Sequence, residues 1–184
     1  MIHAALIVTA WAAAVRRVMT PTTSMTKANN VTTRQALKHH VFMSMAVSIS
    51  TLSTCRRLQV GCVLLATDGR VLGTGYNGAL PKRPHCDPET CGPGKRCLRT
   101  RHAERSALDY SQGDVAKCYV THEPCVRCTQ DLITRGCREV YYIVSYDGTE
   151  EEKVWRRRHV EEAGVVWVKV EHIGSSGIEL YKVG

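Results

Sequence analysis

His102-Ala103-Glu104 and, further along, Pro124-Cys125-Val126-Arg127-Cys128 decide how this chain is read. A catalytic zinc takes three protein ligands of nitrogen and sulfur type and keeps one position open for water. One His and a Cys-x-x-Cys pair supply that set as His102, Cys125 and Cys128. Glu104, two residues past the His, then stands beside the metal as a proton carrier and not as a ligand. A purely structural zinc clip would need a fourth protein ligand and would leave Glu104 without a task.

The spacing predicts that both clusters sit at helix starts. Residues two apart in a helix point away from each other, whereas residues three or four apart share a face. His102 and Glu104 therefore straddle a first turn, and Cys125 and Cys128 share a face of the next helix. Pro124 is expected at that helix's first position, where its missing N–H costs nothing. A helix N-terminus also favours the thiolate that zinc requires.

Working outward, the length of 184 residues suits one well-filled domain. A formal net charge of +8 suits an anionic partner, either a nucleotide phosphate or a nucleic-acid strand. Nine cysteines, an odd number that includes a Cys-x-x-Cys pair, point to metal binding in a reducing compartment more than to disulfides. The apolar run Ala4 to Val15 is too short to span a bilayer. Its positive charge, Arg16-Arg17, follows the apolar part, unlike a secretory signal. Residues 1–33 are read as an extension and linker with poor order, 34–172 as the domain and 173–184 as a tail.

Within the domain, Leu37, Val41, Met45 and Ile49 recur at every fourth position and predict the buried face of an amphipathic helix. His39 and His40 are expected to be exposed on it. Gln59 to Ala66 reads as a strand, Thr67-Asp68-Gly69-Arg70 as a hairpin turn and Val71 to Gly75 as its partner. Asn77, between Tyr76 and Gly78, offers an amide suited to a sugar hydroxyl, although a simple turn would use the same residue.

The next segment is too rich in Pro and Gly for a regular element. A second, structural zinc drawn from Cys55, His85, Cys86, Cys91 and Cys97 would order it; the alternative is a loop with reactive thiols. After the Glu104 helix, Val115 to Thr121, the Pro124 helix and Glu139 to Val144 form a strand, helix, strand crossover, which implies parallel pairing. Ser145-Tyr146-Asp147-Gly148 lies at the carboxyl end of that last strand, where open sheets place ligands. A charged helix over Glu150 to Glu162 and a strand over Val165 to Val170 complete the pattern.

The zinc signature, together with Gln59-Val60-Gly61, Gly75-Tyr76-Asn77-Gly78, His85-Cys86, Arg96-Cys97-x-Arg99-Thr100 and Tyr146-Asp147, resembles the cytidine and deoxycytidylate deaminase family, and its deoxycytidylate (dCMP) branch in particular. The likeness covers roughly Arg34 to Val170 and does not reach the N-terminal extension. It implies a three-layer α/β/α sandwich around a mixed five-stranded sheet, cytidine deaminase-like. It also implies zinc-dependent hydrolysis of dCMP to dUMP and ammonia, which feeds thymidylate synthesis. Glu104 would carry protons, a backbone N–H near Ala103 and the carbonyl of Thr121 would hold the base edge, and Asn77 the deoxyribose. Arg57, Tyr146 and Gln59 would reach the phosphate.

The same likeness implies a homo-oligomer, commonly a hexamer, with dCTP and dTTP as effectors, Mg2+ accompanying those nucleotides, no membrane partner and a cytoplasmic location (host cytoplasm for a viral member). Cys62, where many relatives carry Ala, is read as core filler. The rival activity is a polynucleotide deaminase acting on tRNA adenosine or single-stranded DNA cytosine. For that reading, Lys95-Arg96, Arg99, Arg101 and Arg156-Arg157-Arg158 would track the backbone.

Overall fold

The computed structural model describes residues 33–55, 57–87, 97, 99–173 and 180–183. The expected extension therefore lies outside the described residues, apart from Thr33. The elements in chain order are α1 (Thr33–Ser50), β1 (Gly61–Leu65), β2 (Val71–Tyr76), α2 (Ala103–Tyr110) and β3 (Lys117–His122), followed by α3 (Val126–Thr134), β4 (Glu139–Val144), α4 (Glu150–Ala163), β5 (Val166–Ile173) and β6 (Leu180–Val183).

The strands lie in the order β2-β1-β3-β4-β5-β6. β1 pairs antiparallel with β2 and with β3, β3-β4 and β4-β5 are parallel, and β5-β6 is antiparallel. The expected mixed five-stranded sheet is present, and β6, from the stretch read as a tail, adds an edge strand.

Successive strand side chains point to opposite faces, so the sheet separates two cores. Cys62, Leu64, Cys118, Val120, Val140 and Tyr142 pack with residues of α2, α3 and α4 on one face. Val63, Leu65, Tyr119 and Tyr141 pack against Met43 and Ala46 of α1 on the other. That alternation is the α/β/α sandwich. It explains why β1 is apolar throughout: a strand covered on both faces has no polar side to show. Cys62 is fully buried, as its reading as core filler requires.

The packing face of α1 differs from the expected one. Leu37 and Val41 are 49% exposed and Met45 is 37% exposed, whereas Met43 and Ala46 are fully buried and Phe42 and Ile49 pack beside them. The helix carries apolar residues nearly all round, so the four-residue repeat did not single out the inner face. Close approach did: a Cβ on Gly61 would collide with the backbone of Ala46 and Ser50, so β1 lies directly against that side of the helix. His39 is likewise not an exposed helix residue. Its Nδ1 lies 2.9 Å from the Tyr119 hydroxyl, and its ring packs 4.5 Å from that of Tyr141.

On the opposite face Gly75 plays the corresponding part. A Cβ there would strike the backbone of Ala103 and Ala107, so β2 and the first turns of α2 sit closer than any other residue would permit. No helix among the described residues is long and apolar enough to cross a membrane.

Candidate active site

Two helix starts build the centre. His102 is the N-cap of α2 and Cys125 the N-cap of α3; both have extended backbone, and neither side chain caps its own helix. Pro124 thus precedes the N-cap and does not open the helix, a correction to its expected place. Cys125 holds the cap position because its carbonyl already accepts the Thr129 N–H at 2.8 Å. Cys128 is the third helical residue, the position an N-cap side chain naturally approaches. The Arg105 Nε–H donates to Asp131 Oδ2 at 2.6 Å and ties the two ligand-bearing helices together.

His102 Nδ1 lies 3.5 Å from Cys125 Sγ and 3.4 Å from Cys128 Sγ. Nitrogen and sulfur ligands at about 2.0 and 2.3 Å around one tetrahedral zinc would stand about 3.5 Å apart, so the donor set fits that ion. Among the described residues this trio is the one group of His, Cys, Asp or Glu placed to share a metal. Its electrostatics agree. The hydrogen bond with Cys128, helped by His102, draws the Cys125 thiol down to about 4. The same contact and burial push Cys128 up.

His102 and Cys125 of the trio line a cavity of about 370 Å³. Glu104 faces it and is buried, and that burial pushes its carboxyl up to about 7. A bound dication would act in the opposite direction. Ala103, Asn77, Tyr146 and Arg57 also line the cavity, so four of the six expected substrate contacts converge. Gln59 and Thr121 are not among the lining residues; their neighbours Leu58, Val60 and His122 take those places. Thr121 instead accepts the Gly61 N–H on its Oγ1 at 3.2 Å.

The Asn77 amide is largely spent inside the protein. Its Oδ1 accepts from the Val60 N–H at 2.8 Å and from Ser53 Oγ at 2.7 Å, and its Nδ2 donates to the Leu58 carbonyl at 2.7 Å. It staples the segment before β1 to the end of β2, and one amide hydrogen remains for a ligand.

Sequence reasoning missed Glu123, His122 and Glu152, all of which border the cavity. Glu123 carried a signal in its place directly before Pro124-Cys125, but nothing local revealed its partners. Arg156, read as part of a surface basic run, is only 8% exposed and pairs with Glu123. Lys95-Arg96 lies outside the described residues.

Of the second ligand set, Cys55, Cys86 and Cys97 pack together. Cys86 Sγ and Cys97 Sγ are 3.6 Å apart, and Cys97 Sγ lies 3.0 Å from Thr100 Oγ1. His85 is exposed, and Cys91 lies outside the described residues.

One imidazole nitrogen and two sulfurs at two helix starts, with a buried carboxyl beside them on an α/β/α sandwich, are the arrangement of the zinc-dependent hydrolytic deaminases. The model of the cytidine and deoxycytidylate deaminase zinc-binding region matches residues 37–144. The chain belongs to the cytidine and deoxycytidylate deaminase family, and it is a deaminase. It is 35% identical over 136 residues to ComE operon protein 2 of Bacillus subtilis (strain 168), covering 71% of this chain and 69% of that protein. It is also 35% identical over 119 residues to the deoxycytidylate deaminase of Mycobacterium phage D29, covering 55% of this chain and 90% of that one. Among solved structures, the dCMP deaminase of cyanophage S-TIM5 in complex with dCMP and dUMP superposes with a TM-score of 0.58 at 25% identity, over 70% of this chain and 93% of that one.

Proposed function

We propose that the chain hydrolyses dCMP to dUMP and ammonia. The observation that carries the reading is the buried Glu104 carboxyl beside His102, Cys125 and Cys128, at a cavity whose described lining includes one Lys or Arg, Arg57. Held by His102, Cys125 and Cys128, zinc supplies the Lewis acidity that brings a water's pKa toward neutrality. Glu104 takes one proton from the attacking water and delivers it to the ring N3, then takes the second, from the hydroxyl now on C4, and delivers it to the departing amine, so that N3–H and ammonia are both accounted for. The backbone N–H groups of the first turn of α2, which have no partner within the helix, are the donors nearest to hand for the base edge. The remaining hydrogen of Asn77 serves the deoxyribose, and Tyr146 and Arg57 serve the phosphate end.

A panel of dCMP, deoxycytidine and a cytosine-containing oligonucleotide, read by ammonia release, tests the substrate. Turnover of the oligonucleotide without turnover of dCMP would reverse the assignment. Within the same panel, Arg57→Ala is expected to raise KM for dCMP by about 10–100-fold, the worth of a charge-assisted bond to phosphate, and to leave deoxycytidine unaffected. An equal change for both substrates would remove Arg57 from phosphate binding.

A second, structural zinc on Cys55, Cys86 and Cys97, completed by His85 or Cys91, belongs to the proposal; the convergence of three sulfurs near Thr100 supports it. Elemental analysis is expected to find two zinc ions per chain, and one would remove the second site. Assembly as a homo-oligomer, control by dCTP and dTTP with Mg2+, and a cytoplasmic location complete the reading and rest on the family resemblance. Repeating the panel with each effector tests the control.

A further inference from the structure

The segment Tyr146–Thr149, between β4 and α4, lines the cavity and is held from three directions. The Tyr146 N–H donates to Glu123 Oε2 at 3.0 Å. The Tyr146 ring lies 5.8 Å from the Arg156 guanidinium carbon, and its hydroxyl donates to Glu152 Oε2 at 3.3 Å. Glu152 in turn closes a capping box with Thr149 at the start of α4.

Glu123 is the hub. Besides the Tyr146 amide, its carboxylate accepts the Trp167 Nε1–H at 2.9 Å and pairs with Arg156 Nη2 at 3.0 Å, with both charged side chains buried. It stands two residues before Cys125, so one carboxylate joins the metal-bearing turn to the cavity wall. Arg156 Nη1 is buried without a hydrogen-bond partner among the described residues. A buried ion pair stabilises little relative to apolar residues of the same size, so the pair here points to a role in geometry more than in stability.

We infer that Glu123 and Arg156 are positioning residues whose buried pair sets the Tyr146–Thr149 wall against the nucleotide. The inference rests on the deaminase reading of the cavity. The decisive protein is the zinc-loaded Glu123→Leu/Arg156→Met double variant, which removes both charges together. Its KM for dCMP is expected to rise about tenfold or more, since small misplacements of a binding wall are costly, with kcat within about threefold and zinc content unchanged. Amide hydrogen exchange across residues 145–149 is expected to quicken. Trp167→Phe removes a donor to the same carboxylate from β5 without touching the wall. It should lower the melting temperature and leave KM unchanged.

A wild-type KM, or wild-type exchange across 145–149, in the double variant overturns the inference. So does an equal rise in KM for Trp167→Phe, which would mark the carboxylate as a general structural support. Should the double variant fail to fold, Glu123→Gln keeps the shape, loses the charge and carries the same test, with KM up about threefold. If the wild-type chain leaves dCMP untouched, the substrate assignment fails separately, and exchange across 145–149 alone then decides the positioning role.

Discussion

Glu104→Gln is expected to lower kcat for ammonia release by about 10²–10⁴-fold, the usual worth of a placed proton carrier. Zinc content and melting temperature should stay near those of the unchanged protein. Glu104 sits in the first turn of α2 and lines the cavity beside the ligand trio, and it is not one of the three residues placed to share the metal. The side chain is buried, and the amide of Gln fills the same space, so packing is preserved while the capacity to hold and return a proton is lost. Single-turnover ammonia release, measured beside elemental zinc analysis, separates the two effects. Undiminished release would mean that another group carries the protons; coincident loss of zinc would mean that Glu104 supports the metal instead.

What could be read in advance, and what could not, follows from the range of each signal. The ligand trio was legible because metal chemistry restricts both residue type and spacing, and the structure brings His102, Cys125 and Cys128 together at two helix starts. The parallel pairing of β3 with β4 was legible because strand, helix, strand crossovers admit few alternatives, and the same crossover logic holds for β4 and β5, which the structure also pairs parallel. The inner face of α1 was not. An apolar surface nearly all round leaves the choice to what lies opposite, and the bare backbone at Gly61 made it. Arg156 fails for the same reason. In sequence it is the first of three consecutive arginines, and only folding separates the one that turns in toward Glu123 from its exposed neighbours Arg157 and Arg158. The part played by Asn77 was half legible. Its loop does border the cavity, but most of its amide is consumed by Val60, Ser53 and Leu58, partners that no local pattern announces.

Cys128→Ser is expected to abolish activity, by roughly 10³-fold or more, because the attacking water loses the group that lowers its pKa from 15.7 toward 7. Three ligands are the minimum for a catalytic zinc, so the trio has no spare donor, and a serine hydroxyl is a poor substitute for a thiolate. The zinc count per chain should fall by one, which makes metal loss measurable apart from activity. Cys62→Ala is the matching control. Cys62 is as fully buried as Cys128 and lies 3.6 Å from Cys118, but it is a core residue outside the metal trio. Its variant should keep the full zinc complement and lose only the packing of one small side chain. If Cys62→Ala released zinc as readily as Cys128→Ser, burial in the α2 and α3 core, and not the geometry of the trio, would be what retains the metal. If Cys128→Ser kept both zinc and turnover, the centre would have to be rebuilt around other donors.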